Sequence, residues 1–148
     1  MNEIGLYLKK ISNQLERGRN LLLKEYNLTG TQLDVLEYLY HHSAQENTLS
    51  GITSFFGVQH TSVLHVLKLL EKKQLIYKTE PERGSRFRFI HLTGQGMALV
   101  QKNEEGIARG NKIMFAGMSD QEIQVLQEQL IRIYQNLISE SPTIQKEK

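Results

Sequence analysis

Six hydrogen-bonding side chains stand close together at Gln59, His60, Thr61, Ser62, His65 and Lys68, interleaved with Val63, Val66, Leu67 and Leu70 at helical spacing. On a helix this set leaves one apolar stripe. The opposite face carries short donors and acceptors that can reach base edges and phosphate oxygens without blocking approach. Further along, Arg83, Arg86 and Arg88 flank a turn built from Pro81 and Gly84. Taken alone, the first group also describes an ordinary surface helix and the second a solvated basic loop. The elements around them must decide.

Other chemistries are poorly served. The chain has no cysteine, which excludes disulfides, thiolate metal sites and cysteine-based redox sensing. It contains no nucleophile elbow, Walker loop, dinucleotide fingerprint or His-Glu-x-x-His, and Gly84-Ser85-Arg86 is too short to cradle a phosphate by itself. Neither catalysis nor a cofactor is expected. His41-His42 with Glu37 or Glu46 could contribute metal ligands, but adjacent helical histidines point about 100° apart. The fifth helix adds Glu104 and Glu105 but no histidine. The two histidines read instead as helix-end residues near a negative dipole, and no metal is expected. A cleft among Tyr7, Tyr26, Tyr38 and Tyr40 could admit a small effector, although such aromatics usually belong to a core.

Periodicity places these residues on elements. Ile4, Leu8, Ile11, Leu15 and Leu22 fall on a three-four spacing, predicting a helix over residues 2–26. Asn27 to Gly30 breaks it, and Thr29 with Gln32 has the form of a capping box opening a second helix that ends near His41-His42. A short third helix covers residues 49–56. Gly57 suits a sharp turn needing positive φ, with Val58 plugging that turn, and a fourth helix covers residues 60–73. Residues 75–79 and 87–92 have strand composition, joined by the basic turn. Thr93 caps a fifth helix of residues 94–115, weakened by Gly94, Gly96, Gly106 and Gly110 and ended by Gly117. Ser119 with Glu122 is a second capping box. Ile123, Leu126, Leu130, Ile133 and Leu137 then repeat at three and four residues as a coiled-coil-like seam that Pro142 is expected to stop.

Helix, tight turn, helix, strand, basic loop, strand is the order of a winged helix-turn-helix. The expected fold class is therefore mainly α with a small β-hairpin wing on a helical dimerisation base. Residues 29–93 form the winged lobe, residues 94–116 a connecting helix, and residues 1–27 and 119–140 the dimerisation helices, all within one domain of 148 residues. Charge agrees. Gly57 to His91 holds seven Lys/Arg against three acids, a net +4, while the whole chain carries +2. Positive charge thus gathers on the one segment with groove-reading topology. At 39% hydrophobic and 23% charged, with no apolar run near the roughly 18 residues of a membrane span and no secretory signal, a cytoplasmic location without membrane partners is expected.

Along nearly its whole length the chain resembles the MarR family of bacterial transcriptional regulators. The matching residues are Leu28-Thr29-x-x-Gln32-x-x-Val35-Leu36, Gly57-Val58 with Thr61-Ser62-Val63, Leu70-Glu71-Lys72-Lys73-x-Leu75-Ile76, and Arg86 followed by Leu92-Thr93-x-x-Gly96. The resemblance implies a homodimer paired through the first and last helices (Ile4, Leu8, Ile11, Leu15, Ile123, Leu126, Leu130, Ile133 and Leu137). It also implies a pseudo-palindromic double-stranded DNA operator with half-sites about one helical turn apart, and repression relieved by a small ligand. Two departures stand out. The family wing usually carries Asp-x-Arg, whereas Gly84 precedes Arg86 here, leaving Glu82 as the neighbouring carboxylate that could take the place of the Asp. And His65 stands where relatives often carry Arg. Imidazole makes one donor contact where Arg makes two to guanine, so altered specificity or pH-sensitive binding near the usual histidine pKa of about 6.5 is expected.

Overall fold

The computed structural model describes residues 3–84 and 86–144, with side chains as far as Glu140. The chain divides into two compact units, one up to Gly106 and one from Ile107 onward. The first contains α1 (Ile4–Glu25), α2 (Gly30–His41), α3 (Leu49–Phe56), α4 (His60–Lys72), β1 (Ile76–Lys78), β2 (Ile90–Leu92) and the start of α5 (Gly94–Met114). The second contains the end of α5 and α6 (Asp120–Ile144).

In the first unit α1 buries no residue of its own span completely. Leu22, Leu23 and Tyr26 at its C-terminal end pack half-buried on the core. Arg19 fixes the following turn, its guanidinium reaching Asp34 Oδ1 at 2.6 Å and the Gly30 carbonyl at 3.0 Å. The capping box then opens α2 as expected. Thr29 Oγ1 accepts from the Gln32 N–H at 3.2 Å and Gln32 Oε1 accepts from the Thr29 N–H at 3.1 Å, which satisfies two of the donors a helix start leaves unpaired. Leu33, Leu36 and Leu39 of α2 meet Ile52 of α3, the Val63, Leu67, Leu70 stripe of α4, and Leu99 and Val100 of α5 in one fully buried core. Burying such side chains is worth roughly 1.5–3 kcal/mol each, so this cluster holds the lobe together.

The α3–α4 turn depends on Gly57, whose φ of 64° lies in the left-handed region open to glycine. Val58 does not plug it. The residue is 47% exposed, because the turn is closed by the backbone itself, with the Gly57 N–H donating to the Thr53 carbonyl at 3.0 Å.

The strands pair antiparallel in the register Ile76 with Leu92, Tyr77 with His91 and Lys78 with Ile90. Both are shorter than composition predicts. One further bond, Thr79 N–H to the Phe89 carbonyl at 2.9 Å, continues the ladder. Beyond it the strand composition of Phe87 to Phe89 finds no second layer to pack on, and Phe87 is 60% exposed. A two-stranded ribbon keeps only what the core covers.

α5 begins at Thr93, whose hydroxyl accepts from the Gly96 N–H at 3.1 Å. It runs uninterrupted to Met114 despite its glycines. In the second unit Gly117, at φ 82°, makes the turn. Ser119 and Glu122 close the second capping box at 2.7 and 3.2 Å. α6 continues through Pro142 to Ile144 rather than stopping at it, since proline's fixed φ is compatible with a helix and costs the last turn one donor.

Candidate nucleic-acid interface

α4 owes its orientation to the Val63, Leu67, Leu70 stripe, which is buried in the core. That anchoring turns the opposite face outward. Gln59 is the N-cap residue, and it, His60, Thr61, Ser62, His65 and Lys68 are all exposed. The six residues selected from sequence therefore share the solvent side of one rigid helix. One of them has a second engagement: His60 Nδ1 lies 3.3 Å from Thr53 Oγ1, tying the start of α4 back to α3.

The wing stands beside this face. Arg83, Arg86 and Arg88 are exposed. A shallow cleft of about 280 Å³ lies between the start of α3, α4 and the wing, and Thr48, Leu64, Lys78, Arg86 and Arg88 help to line it. Among the described residues no ion pair joins Glu82 to Arg86. Glu80 instead pairs with Arg88, Oε2 to Nη2 at 3.8 Å. In an extended ribbon residues two apart share a side, and the register puts position 88 opposite 80 across the ladder that Thr79 and Phe89 close. At the base of the wing the His91 ring stacks on Tyr77 at 5.0 Å, and Lys78 pairs with Glu71 at 3.7 Å.

A second group of polar residues assembles on the same unit, drawn from residues that the sequence offered as metal ligands, with His41 read instead as a helix-end residue. His41 Nε2 lies 2.7 Å from Glu104 Oε1 and 3.4 Å from Glu37 Oε2, while Asn103 Nδ2 donates to the other Glu37 oxygen, Oε1. Burial first, and then the neighbouring Glu104 carboxylate, push the Glu37 carboxyl above its usual range. Hydrogen bonds from Glu37 and His41 hold Glu104 below it. His42 takes no part. Its Nδ1 faces the Tyr38 carbonyl at 2.8 Å, so that nitrogen carries the proton, and its ring stacks on Tyr38 at 4.1 Å. Three of the four tyrosines offered for an effector cleft, Tyr26, Tyr38 and Tyr40, pack half-buried on the core, whereas Tyr7 is 55% exposed.

The profile of the transcriptional regulator SarA/Rot family matches residues 19–103, which takes in α2, α3, α4, both strands and the start of α5. The chain belongs to the SarA/Rot family of transcriptional regulators. Its winged-helix fold is that of MarR-type regulators. In Bacillus subtilis the uncharacterized HTH-type transcriptional regulator YwaE is 28% identical over 78% of this chain and 67% of its own length. The HTH-type transcriptional regulator MhqR of the same organism is 24% identical over 88% and 89% respectively. Among solved structures, the Staphylococcus aureus MepR–DNA complex superimposes with a TM-score of 0.74 at 23% identity, covering 90% of this chain and 98% of that one. The heme sensor PefR of Streptococcus agalactiae, in complex with heme, gives 0.65 at 21%, covering 92% and 95%. These likenesses establish the fold. The family and these curated relatives are transcription regulators rather than enzymes, and no helix among the described residues is long and apolar enough to cross a membrane.

Proposed function

We propose that this regulator binds double-stranded DNA sequence-specifically as a homodimer on a pseudo-palindromic operator, and that it acts as a cytoplasmic repressor released by a small ligand. The observation that carries the reading is the exposed face of α4. One side of the helix is locked into the core by Val63, Leu67 and Leu70, and the other offers Gln59, Thr61, Ser62, His65 and Lys68 to solvent next to an arginine-bearing wing. Rigid presentation of donors and acceptors is what major-groove reading requires, and guanidinium groups on an adjacent loop suit phosphates and the minor groove. MepR, which shares the fold, has been solved on DNA.

Dimerisation is supported by apolar surface that one chain leaves uncovered. Ile4, Leu8, Ile11 and Leu15 of α1 are 38–56% exposed, and Leu130, Ile133 and Leu137 of α6 are 39–66% exposed. Ile123 and Leu126 are half-buried. Soluble monomers rarely leave such stripes open, and a second copy of the same chain supplies matching ones. Release by a ligand is supported by relatives of the same fold captured with one, MepR with ethidium bromide and PefR with heme.

The test is an electrophoretic shift on DNA from immediately upstream of the protein's own gene, across a salt series. Binding that survives competitor DNA and falls steeply with salt is expected. Absence of binding to this and to random DNA at low salt overturns the reading.

A further inference from the structure

We propose that Glu37, His41 and Glu104 bind a divalent transition-metal cation, for which Zn²⁺ is the fitting probe, and that the bound ion ties the C-terminal end of α2 to α5. The inference does not rest on DNA binding.

Glu37 and His41 are four residues apart on α2 and therefore lie on one face of it. Glu104 comes from α5 and meets them from across the interface. One donor atom from each residue falls within 4.8 Å of the other two. Around a tetrahedral Zn²⁺ with ligand bonds of about 2.1 Å, donors stand about 3.4 Å apart. The His41 Nε2 to Glu37 Oε2 separation is 3.4 Å. The 2.7 Å from His41 Nε2 to Glu104 Oε1 needs only a small rotation of the Glu104 side chain, which is 36% exposed.

The donor set also selects the ion. Two carboxylates balance a divalent charge. One imidazole nitrogen favours Zn²⁺ and its neighbours over Ca²⁺ and Mg²⁺, which prefer all-oxygen cages. Without thiolates the site is not suited to Cu⁺. Three protein donors leave at least one position to water, so the site is open and exchangeable rather than a sealed structural one. Asn103 holds the Glu37 oxygen that does not face His41, as outer partners orient ligating carboxylates elsewhere. Without an ion the same three groups form an ion-pair and hydrogen-bond cluster between two helices, and the experiment must separate these two roles.

Metal-stripped, full-length protein is titrated with Zn²⁺ in a calorimeter, without DNA, alongside His41→Ala and Glu104→Gln. The expected result is one equivalent of Zn²⁺ per chain for the parent protein, a rise in its melting temperature with Zn²⁺, and affinity weakened by about tenfold or more in each variant. Glu104→Gln keeps the shape and a hydrogen bond to His41, so it decides the matter should His41→Ala fail to fold. Circular dichroism verifies folding. No uptake by the parent protein, or uptake of unchanged affinity in a folded Glu104→Gln, overturns the proposal and leaves the cluster as an ion-pair joint. Because the readout needs no operator, its failure and failure of the DNA-binding reading are separate results.

Discussion

The carbonyl oxygen of Leu75 occupies the space that a side chain at Gly96 would need. A β-carbon built at position 96 lies 2.1 Å from that oxygen and 3.1 Å from its carbon. The same carbonyl accepts the Thr93 N–H at 3.0 Å, and Thr93 Oγ1 donates to the Gln74 carbonyl at 2.6 Å. The entry to the wing and the first turn of α5 are therefore stitched together by backbone at van der Waals contact. Position 96 must stay bare for the stitch to close.

Gly96→Ala is accordingly expected to destabilise the protein by about 3 kcal/mol, at the upper end for overpacking because the obstacle is backbone and cannot rotate away. The cost should appear as a fall in the denaturant midpoint at an unchanged slope. A loss under about half a kcal/mol means that the helix and wing can slide apart freely, contrary to the geometry.

Asn47 is a buried polar residue whose side-chain amide donates to the His42 carbonyl at 3.0 Å, while its backbone carbonyl accepts the Ile90 N–H at 2.8 Å. The side chain closes the α2–α3 loop over the base of β2. Replacing it with Ala removes the bonds from its side-chain amide to the His42 and Gln45 carbonyls, while the His42 carbonyl keeps the Gln45 N–H at 3.0 Å, so the cost should be about 1 kcal/mol, read by thermal unfolding. An unchanged melting temperature would show that water replaces the amide at no cost.

The two wing arginines should differ. Arg86 makes no ion pair with a described carboxylate, whereas Arg88 is held by Glu80. If Arg86 meets backbone or minor groove, Arg86→Ala weakens binding to all sequences by a similar factor and lowers the salt slope by about one. A loss confined to particular bases instead assigns it to base readout.

His65 stands exposed in the middle of the outward face of α4. His65→Ala should relax preference at one operator position, worth about 1–3 kcal/mol of discrimination, measured by selection from a randomised operator library. An unaltered preference removes it from the reading face.

For the seam, Ile133→Asp places a charge where pairing of two copies would bury it unpaired. Sedimentation should show a monomer or an unfolded chain. A folded dimer of native size refutes the proposed pairing through α6.

Much of the lobe could be read directly because its signals are local. Thr29 with Gln32, Ser119 with Glu122 and Thr93 before Gly96 each satisfy backbone donors within one turn, so a stretch of four residues suffices to announce a helix start. The Gly57 turn and the buried stripe of α4 are legible for the same reason. The outward set from Gln59 to Lys68 follows as the complement of that stripe. The wing was harder. Phe87 to Phe89 have strand composition, but whether a strand forms depends on a covering layer that composition does not reveal. Val58 looked like a plug only because it is apolar.

The sequence by itself determined where the helices lie, the capped starts of α2, α5 and α6, and which face of α4 must be buried, since these follow from periodicities and capping bonds spanning at most a few residues; the end of α6 beyond Pro142 did not follow from it. Tertiary structure alone decided which distant groups meet. It seated Leu75 against Gly96, gave the Glu80 carboxylate to Arg88 rather than Arg86, and brought His41 to Glu104, 63 residues away. Such meetings are set by how the elements pack around the shared core, and no spacing along the chain encodes them.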